Sequence, residues 1–126
     1  MITLSELFSK ALLTLPKTVD SLTLPQMLRG DRFDSRGGVY VFYNIHHEPL
    51  YVGISNRLDK RVPEHLGSTK GNKDLIQYIK AGKYVYVGVF YEDNKMYQEV
   101  YESYLIYQLN PRFNVQKTGR EKIGKL

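Results

Sequence analysis

The apolar residues of this chain fall into segments of two different periods. Leu4, Leu7, Phe8, Ala11 and Leu12 recur at helical spacing and predict a short helix over residues 4–13, closed by Pro16. Residues 24–28 predict a second, with Thr23 as N-cap, Pro25 in its first turn and Gly30 just beyond it. Residues 31–37 are polar loop. Residues 39–44 and 50–54 are then rich in Val, Tyr, Phe and Ile and are separated by turn residues, which predicts an antiparallel hairpin. Ser55 or Asn56 offers an N-cap for a helix running to Leu66, and Asn72 offers another for a helix that turns Leu75, Ile76 and Ile79 inward and ends at Gly82. Residues 84–91 are apolar on both faces and predict a third strand, central or covered. Residues 95–109 predict the longest helix, with Met96, Val100, Tyr104 and Leu105 inward, stopped by Asn110-Pro111. The sum is a small α+β fold: three strands, mostly antiparallel, flanked by helices. Residues 1–36 read as a helical elaboration of the same domain, 37–114 as its body and 115–126 as a basic tail.

Composition changes this picture in three respects. The 126 residues suffice for one domain and one core. The chain has no cysteine, which excludes disulfides and thiolate metal sites. The net charge is +5, and the excess lies in residues 37–126, with thirteen Lys/Arg against nine Asp/Glu; residues 1–36 are nearly balanced. A basic surface attracts polyanions, nucleic acid among them. No segment is long and apolar enough to cross a bilayer, and the first residues lack a basic, then apolar, leader pattern. The expected compartment is the cytoplasm, and no membrane partner is expected.

Several residues have the chemistry for a site. Tyr40 and Tyr51 are strand tyrosines beside glycines in Gly38-Val39-Tyr40 and Tyr51-Val52-Gly53. A strand glycine marks close approach of another backbone or a ligand, although strand tyrosines most often simply pack. Arg61 and His65 are four residues apart, with Arg57 four before, so an uninterrupted helix would put all three on one face. That face reads either as a solvated basic surface or as a phosphate reader, since the guanidinium fork suits phosphate oxygens. Pro63 interrupts it, and a helix restarting near Arg61 would leave Pro63 in its first turn. Glu102 lies within the longest helix with Glu99 three residues before, a composition that permits a Mg²⁺ site without demanding one. His46-His47 fall in the hairpin turn with no third ligand at metal spacing.

Taken together, these residues resemble the GIY-YIG nuclease family. The first tripeptide and the second carry Val39 and Val52 where the family name has isoleucine. Arg61 and His65 follow, and the run from Glu102 to Asn114 is similar to that of the excision-repair branch. The resemblance implies an endonuclease that hydrolyses phosphodiester bonds, leaving 5′-phosphate and 3′-hydroxyl ends. It implies Tyr40 as general base, with Tyr51 and His65 positioning water or phosphate and assisting proton movement. Arg61 would neutralise phosphoryl charge, Glu102 would hold one Mg²⁺ or Mn²⁺, and Asn114 would brace the site. Gly53, Arg57 and Lys60 are the expected substrate-contacting positions, Arg57 and Lys60 also as cations near the Tyr40 phenolate. DNA is the favoured substrate over RNA. A homodimer or a recruiting protein is the expected further partner, and the alternative to an enzyme is a catalytically silent binding module or interaction protein of the same fold.

Overall fold

The computed structural model describes residues 19–67 and 70–114. The helix expected over residues 4–13 and the basic tail lie outside them. The elements in chain order are β1 (Val19–Thr23), α1 (Leu24–Leu28), β2 (Gly38–Asn44), β3 (Pro49–Ser55), α2 (Leu58–Glu64), α3 (Lys73–Lys80), β4 (Val85–Tyr91) and α4 (Lys95–Leu109). Among the described residues, no helix is long and apolar enough to cross a membrane.

The sheet has four strands where the sequence predicts three, in the order β1-β4-β2-β3, every pair antiparallel. The added strand is β1. Val19-Asp20-Ser21-Leu22-Thr23 is too polar to read as a strand, and an edge position tolerates that polarity. Asp20 has a specific use there: its carboxylate accepts from the Tyr91 hydroxyl at 2.7 Å. β4 is central, as its continuous apolar pattern requires. Thr23 closes β1 and opens α1 with a capping box, its backbone N–H donating to Gln26 Oε1 at 2.8 Å.

Helices cover both faces of the sheet. On one, Tyr40, Phe42, Val85, Val87, Val89 and Tyr91 pack with Leu24 and Met27 of α1, Leu58 and Val62 of α2, and Leu75 of α3. On the other, Val39, Val41, Val52 and Phe90 pack with Ile106 of α4 and, less fully buried, Tyr101, Leu105 and Leu109. The long helix has the boundaries its pattern predicts, with the Asn94 side chain accepting from the Tyr97 N–H and Asn110 ending it in the left-handed region. Its inward face differs from expectation. Met96 is exposed, whereas Gln98 and Glu102 are buried. Gln98 earns its place by donating to the Glu92 carbonyl at 2.6 Å. An apolar count cannot foresee a buried polar stripe of this kind.

The helix after β3 also departs from the sequence reading. Neither Ser55 nor Asn56 caps it. Arg57 occupies the N-cap position without a side-chain cap bond, and Ser55 Oγ accepts from the Arg57 N–H instead. The helix does not restart near Arg61. It begins at Leu58 and ends at Glu64, which leaves Pro63 in its last turn. The ring there removes the donor that the Asp59 carbonyl would otherwise meet. The turn then tightens, with the His65 N–H bonding the Val62 carbonyl at 3.1 Å and the Leu66 N–H bonding the Pro63 carbonyl at 3.0 Å.

Candidate active site

Register builds the centre of the site. Tyr40 on β2 lies opposite Gly53 on β3, and Phe42 opposite Tyr51. A Cβ at Gly53 would overlap the Tyr40 hydroxyl, so the tyrosine ring occupies the space a side chain would need. Gly38, in the first tripeptide, has a different reason. A Cβ there would overlap the Phe90 carbonyl oxygen on β4 and stand 2.8 Å from Leu58 Cδ1.

His65, just past α2, closes over this pair. Its ring is fully buried, with centroids 5.4 Å from Tyr40, 5.3 Å from Tyr51 and 5.5 Å from Phe42. Its Nε2 is hydrogen-bonded to the Tyr40 hydroxyl at 2.8 Å, and its Nδ1 accepts from the Asn72 backbone N–H at 2.9 Å. Burial, reinforced by the Arg61 charge, pushes the imidazole pKa down to about 4. At neutral pH His65 is therefore an uncharged imidazole walled off from solvent.

Arg61 is partly exposed in the last turn of α2. Its Nη1 donates to Glu64 Oε1 and to the Lys70 carbonyl, each at 2.8 Å. Its charge opposes the forces that keep Tyr40 protonated. Those forces are burial first, then the charges that Tyr51 and Glu102 would carry, and they leave the phenol well above the ordinary tyrosine range. Four candidate residues, Tyr40, Tyr51, Arg61 and His65, thus form one cluster, and Glu102 is close enough for its charge to be felt at the Tyr40 oxygen.

The remaining candidates divide. Glu102 is buried on α4, while Glu99 is exposed and does not share its environment. Asn114 is buried and makes two bonds to one residue of β3: its Oδ1 accepts from the Val52 N–H at 2.8 Å and its Nδ2 donates to the Val52 carbonyl at 2.9 Å. It thereby fixes the strand between Tyr51 and Gly53. Arg57 is outside the helix, so the expected shared face with Arg61 is absent. Its guanidinium is instead a fork on Asp59, at 3.0 and 2.9 Å, with Ser35 Oγ at 3.4 Å. That pairing holds the Asp59 carboxyl down at about 2. Lys60 is exposed on α2. His46 and His47 stay in the hairpin turn, where His47 stacks on Tyr86 at 5.3 Å. An apolar groove bounded by Tyr43, His47, Tyr86 and Leu105 contains none of the candidate residues.

Among the described residues, no three His, Cys, Asp or Glu side chains gather as a metal site. The donor set that remains is the Glu102 carboxylate. One hard oxygen donor suits Mg²⁺, which keeps several waters and takes substrate phosphate oxygens as further ligands. Sequence reasoning missed Gly71, Asn72 and Glu64. Asn72 was legible as a helix cap, and its side chain does accept from the Leu75 N–H at 3.0 Å. Its main-chain bond to a histidine seven residues earlier has no sequence signature.

The hairpin thus carries two neighbouring tyrosines, their ring centroids 6.2 Å apart, closed over by a histidine. The profile of the GIY-YIG catalytic domain matches residues 36–116, and the chain belongs to that family. In fold it is similar to the GIY-YIG N-terminal endonuclease domain of UvrC from Thermotoga maritima bound to magnesium. The TM-score is 0.53 at 23% identity, over 64% of this chain and 85% of that one. A point mutant of the same domain, bound to its catalytic divalent cation, matches with a TM-score of 0.51, 23% identity and the same coverage. An uncharacterized protein of Bacillus subtilis (strain 168), YurQ, is 33% identical over 86 residues, which are 65% of this chain; the match spans 63% of that relative's length.

Proposed function

We propose that this protein is a metal-dependent endonuclease that hydrolyses phosphodiester bonds of nucleic acid, DNA in preference to RNA, leaving 5′-phosphate and 3′-hydroxyl ends. The observation that carries this reading is the setting of the Tyr40 oxygen, hydrogen-bonded to His65 at 2.8 Å and neighboured by the Arg61 guanidinium. A buried phenol is a poor base unless its deprotonated form is stabilised. A cation and a hydrogen-bonded imidazole at the same oxygen work against the burial that keeps the phenol protonated.

In this reading Tyr40 takes the proton of the attacking water, and Tyr51 orients that water or the phosphate. Arg61 is partly exposed and placed to neutralise charge that builds on the phosphoryl oxygens. Glu102 would hold the divalent cation, Mg²⁺ or Mn²⁺, which supplies charge neutralisation at the scissile phosphate and leaving oxygen when bound. Asn114 keeps the Tyr51–Gly53 strand in register. Lys60 and Arg57, both exposed, contribute phosphate attraction. Residues 1–36 are read as an elaboration of the same domain, a reading supported by the pairing of β1 with β4. A cytoplasmic location and a homodimer or recruiting protein belong to the same proposal.

The test is cleavage of supercoiled plasmid, single-stranded DNA, branched DNA and RNA by purified protein with Mg²⁺, Mn²⁺ or EDTA. Cation-dependent nicking with ligatable ends is expected. Binding without cleavage under every condition would replace the enzyme with a silent binding module.

A further inference from the structure

The two ring nitrogens of His65 are not independent. A backbone N–H is an obligatory donor, so the Asn72 N–H, 2.9 Å from Nδ1, requires a lone pair there. A neutral imidazole carries a single N–H. It must then sit on Nε2, which faces the Tyr40 oxygen at 2.8 Å. We infer that the Gly71-Asn72 dipeptide is a positioning element that sets the His65 tautomer, making the imidazole a donor to Tyr40 and not the acceptor of its proton.

A second observation shows how the chain delivers that N–H. Gly71 is pressed against the end of α2: a Cβ on it would stand 2.5 Å from the Glu64 carbonyl oxygen and 2.8 Å from His65 Cα. Only a residue without a side chain brings the next amide within reach of Nδ1. The same short segment is tied down at Lys70, whose carbonyl accepts from Arg61. Residues 70–72 therefore hold both groups that adjoin the Tyr40 oxygen.

The consequence concerns proton direction. With one lone pair of its oxygen taken by the Nε2–H group, Tyr40 must aim its own proton elsewhere. Once deprotonated, the oxygen keeps a fixed donor, which favours the charged form. The proton of the attacking water leaves by a route other than His65. Calling Tyr40 the reacting group rests on the nuclease reading; the tautomer assignment does not.

The experiment is nitrogen NMR on full-length protein labelled with ¹⁵N-histidine at neutral pH, in the wild type, Gly71→Ala and Gly67→Ala. A Cβ at Gly67 meets nothing within 4 Å, so it controls for substitution in the same loop. The expected His65 signature is a protonated Nε2 and a bare Nδ1 in the wild type and in Gly67→Ala. In Gly71→Ala the two nitrogens should shift toward a mixture of tautomers. A protonated Nδ1 in the wild type overturns the inference, as do wild-type nitrogen shifts in Gly71→Ala. If Gly71→Ala does not fold, the wild-type spectrum alone decides. Cleavage enters neither outcome, so a protein that cuts nothing would refute the nuclease reading and leave the tautomer assignment standing.

Discussion

The ring of Tyr40 lies across Gly53, its direct partner on the neighbouring strand, in the space where a side chain would collide with the phenol oxygen. The second glycine of the paired tripeptides is therefore room for the first tripeptide's tyrosine. Gly53→Ala should cost about 1–3 kcal/mol, the usual range for overpacking a tight site. It should also lower the cleavage rate by displacing Tyr40 from His65. Denaturant melts and a nicking assay measure the two effects. Wild-type values in both would mean that the strand simply yields.

Tyr40→Phe isolates the oxygen. The phenol is buried and bonded to His65, so its loss strands a ring N–H at a cost of about 1–3 kcal/mol. Cleavage should fall by orders of magnitude, far more than the stability loss explains. Because burial holds the phenol above the ordinary tyrosine range, the wild-type rate should climb with pH through the neutral and mildly alkaline region. Near-wild-type cutting by the phenylalanine variant would remove Tyr40 as the base and leave Tyr51 to be tested.

Arg61 and Arg57 should separate by phenotype. On its proposed role at the phosphoryl oxygens, Arg61→Ala should cost about 3–4 kcal/mol in cleavage, roughly two to three orders of magnitude, with a smaller loss in binding. Arg57→Ala, which removes a cation read as attracting phosphate, should raise KM and flatten the salt dependence while kcat changes little. Paired cleavage and binding titrations decide, and the opposite pattern would reverse the roles.

Glu102→Ala should abolish cation-dependent cleavage while the helix persists, since alanine is the best helix former. Calorimetric titration of Mn²⁺ should show binding to the wild type that the variant lacks. Cleavage that survives EDTA would end the metal requirement. Cleavage lost in Glu99→Ala instead would move the ligand to a carboxylate that the structure leaves exposed.

Acid should weaken the fold through His65. The imidazole titrates near 6.5 when unfolded and near 4 when folded, so the unfolded chain binds the proton more readily between those values. The contribution is complete above about pH 6.5 and is lost as pH falls toward 4. It amounts to about 3 kcal/mol, since each pKa unit is about 1.4 kcal/mol. His65→Gln should flatten that part of the stability profile measured by urea titration at stepped pH. An unchanged profile would assign the acid sensitivity to other groups.

The sequence made the hairpin, the central strand and the long helix legible because apolar pattern, turn residues and the Asn110-Pro111 stop dominate there. It also brought Tyr40, Tyr51, Arg61, His65, Glu102 and Asn114 into one list. β1 was hidden because Asp20, Ser21 and Thr23 suit only an edge strand, whose partner is far away in the chain. Pro63 was misplaced because its tolerance depends on where the helix starts, and Arg57 starts it without a capping bond. The burial of Glu102 was hidden too, since a glutamate on a mixed helix looks solvated until the sheet edge is set against it. The bond from Asn72 to His65 depends on the absence of a Cβ at Gly71, a purely three-dimensional fact.

Asn114 gives the hairpin's outer strand a partner without adding a strand. Its amide satisfies both outward-facing main-chain groups of Val52, and just before it the Phe113 N–H bonds the Leu50 carbonyl at 2.8 Å. Those groups would otherwise offer a template for another chain to pair with. A shortened protein ending before Phe113 would lay that template bare beside Tyr51. Such a fragment should recruit strands from its neighbours, and self-association in place of a clean monomer would be the cost of trimming the chain there.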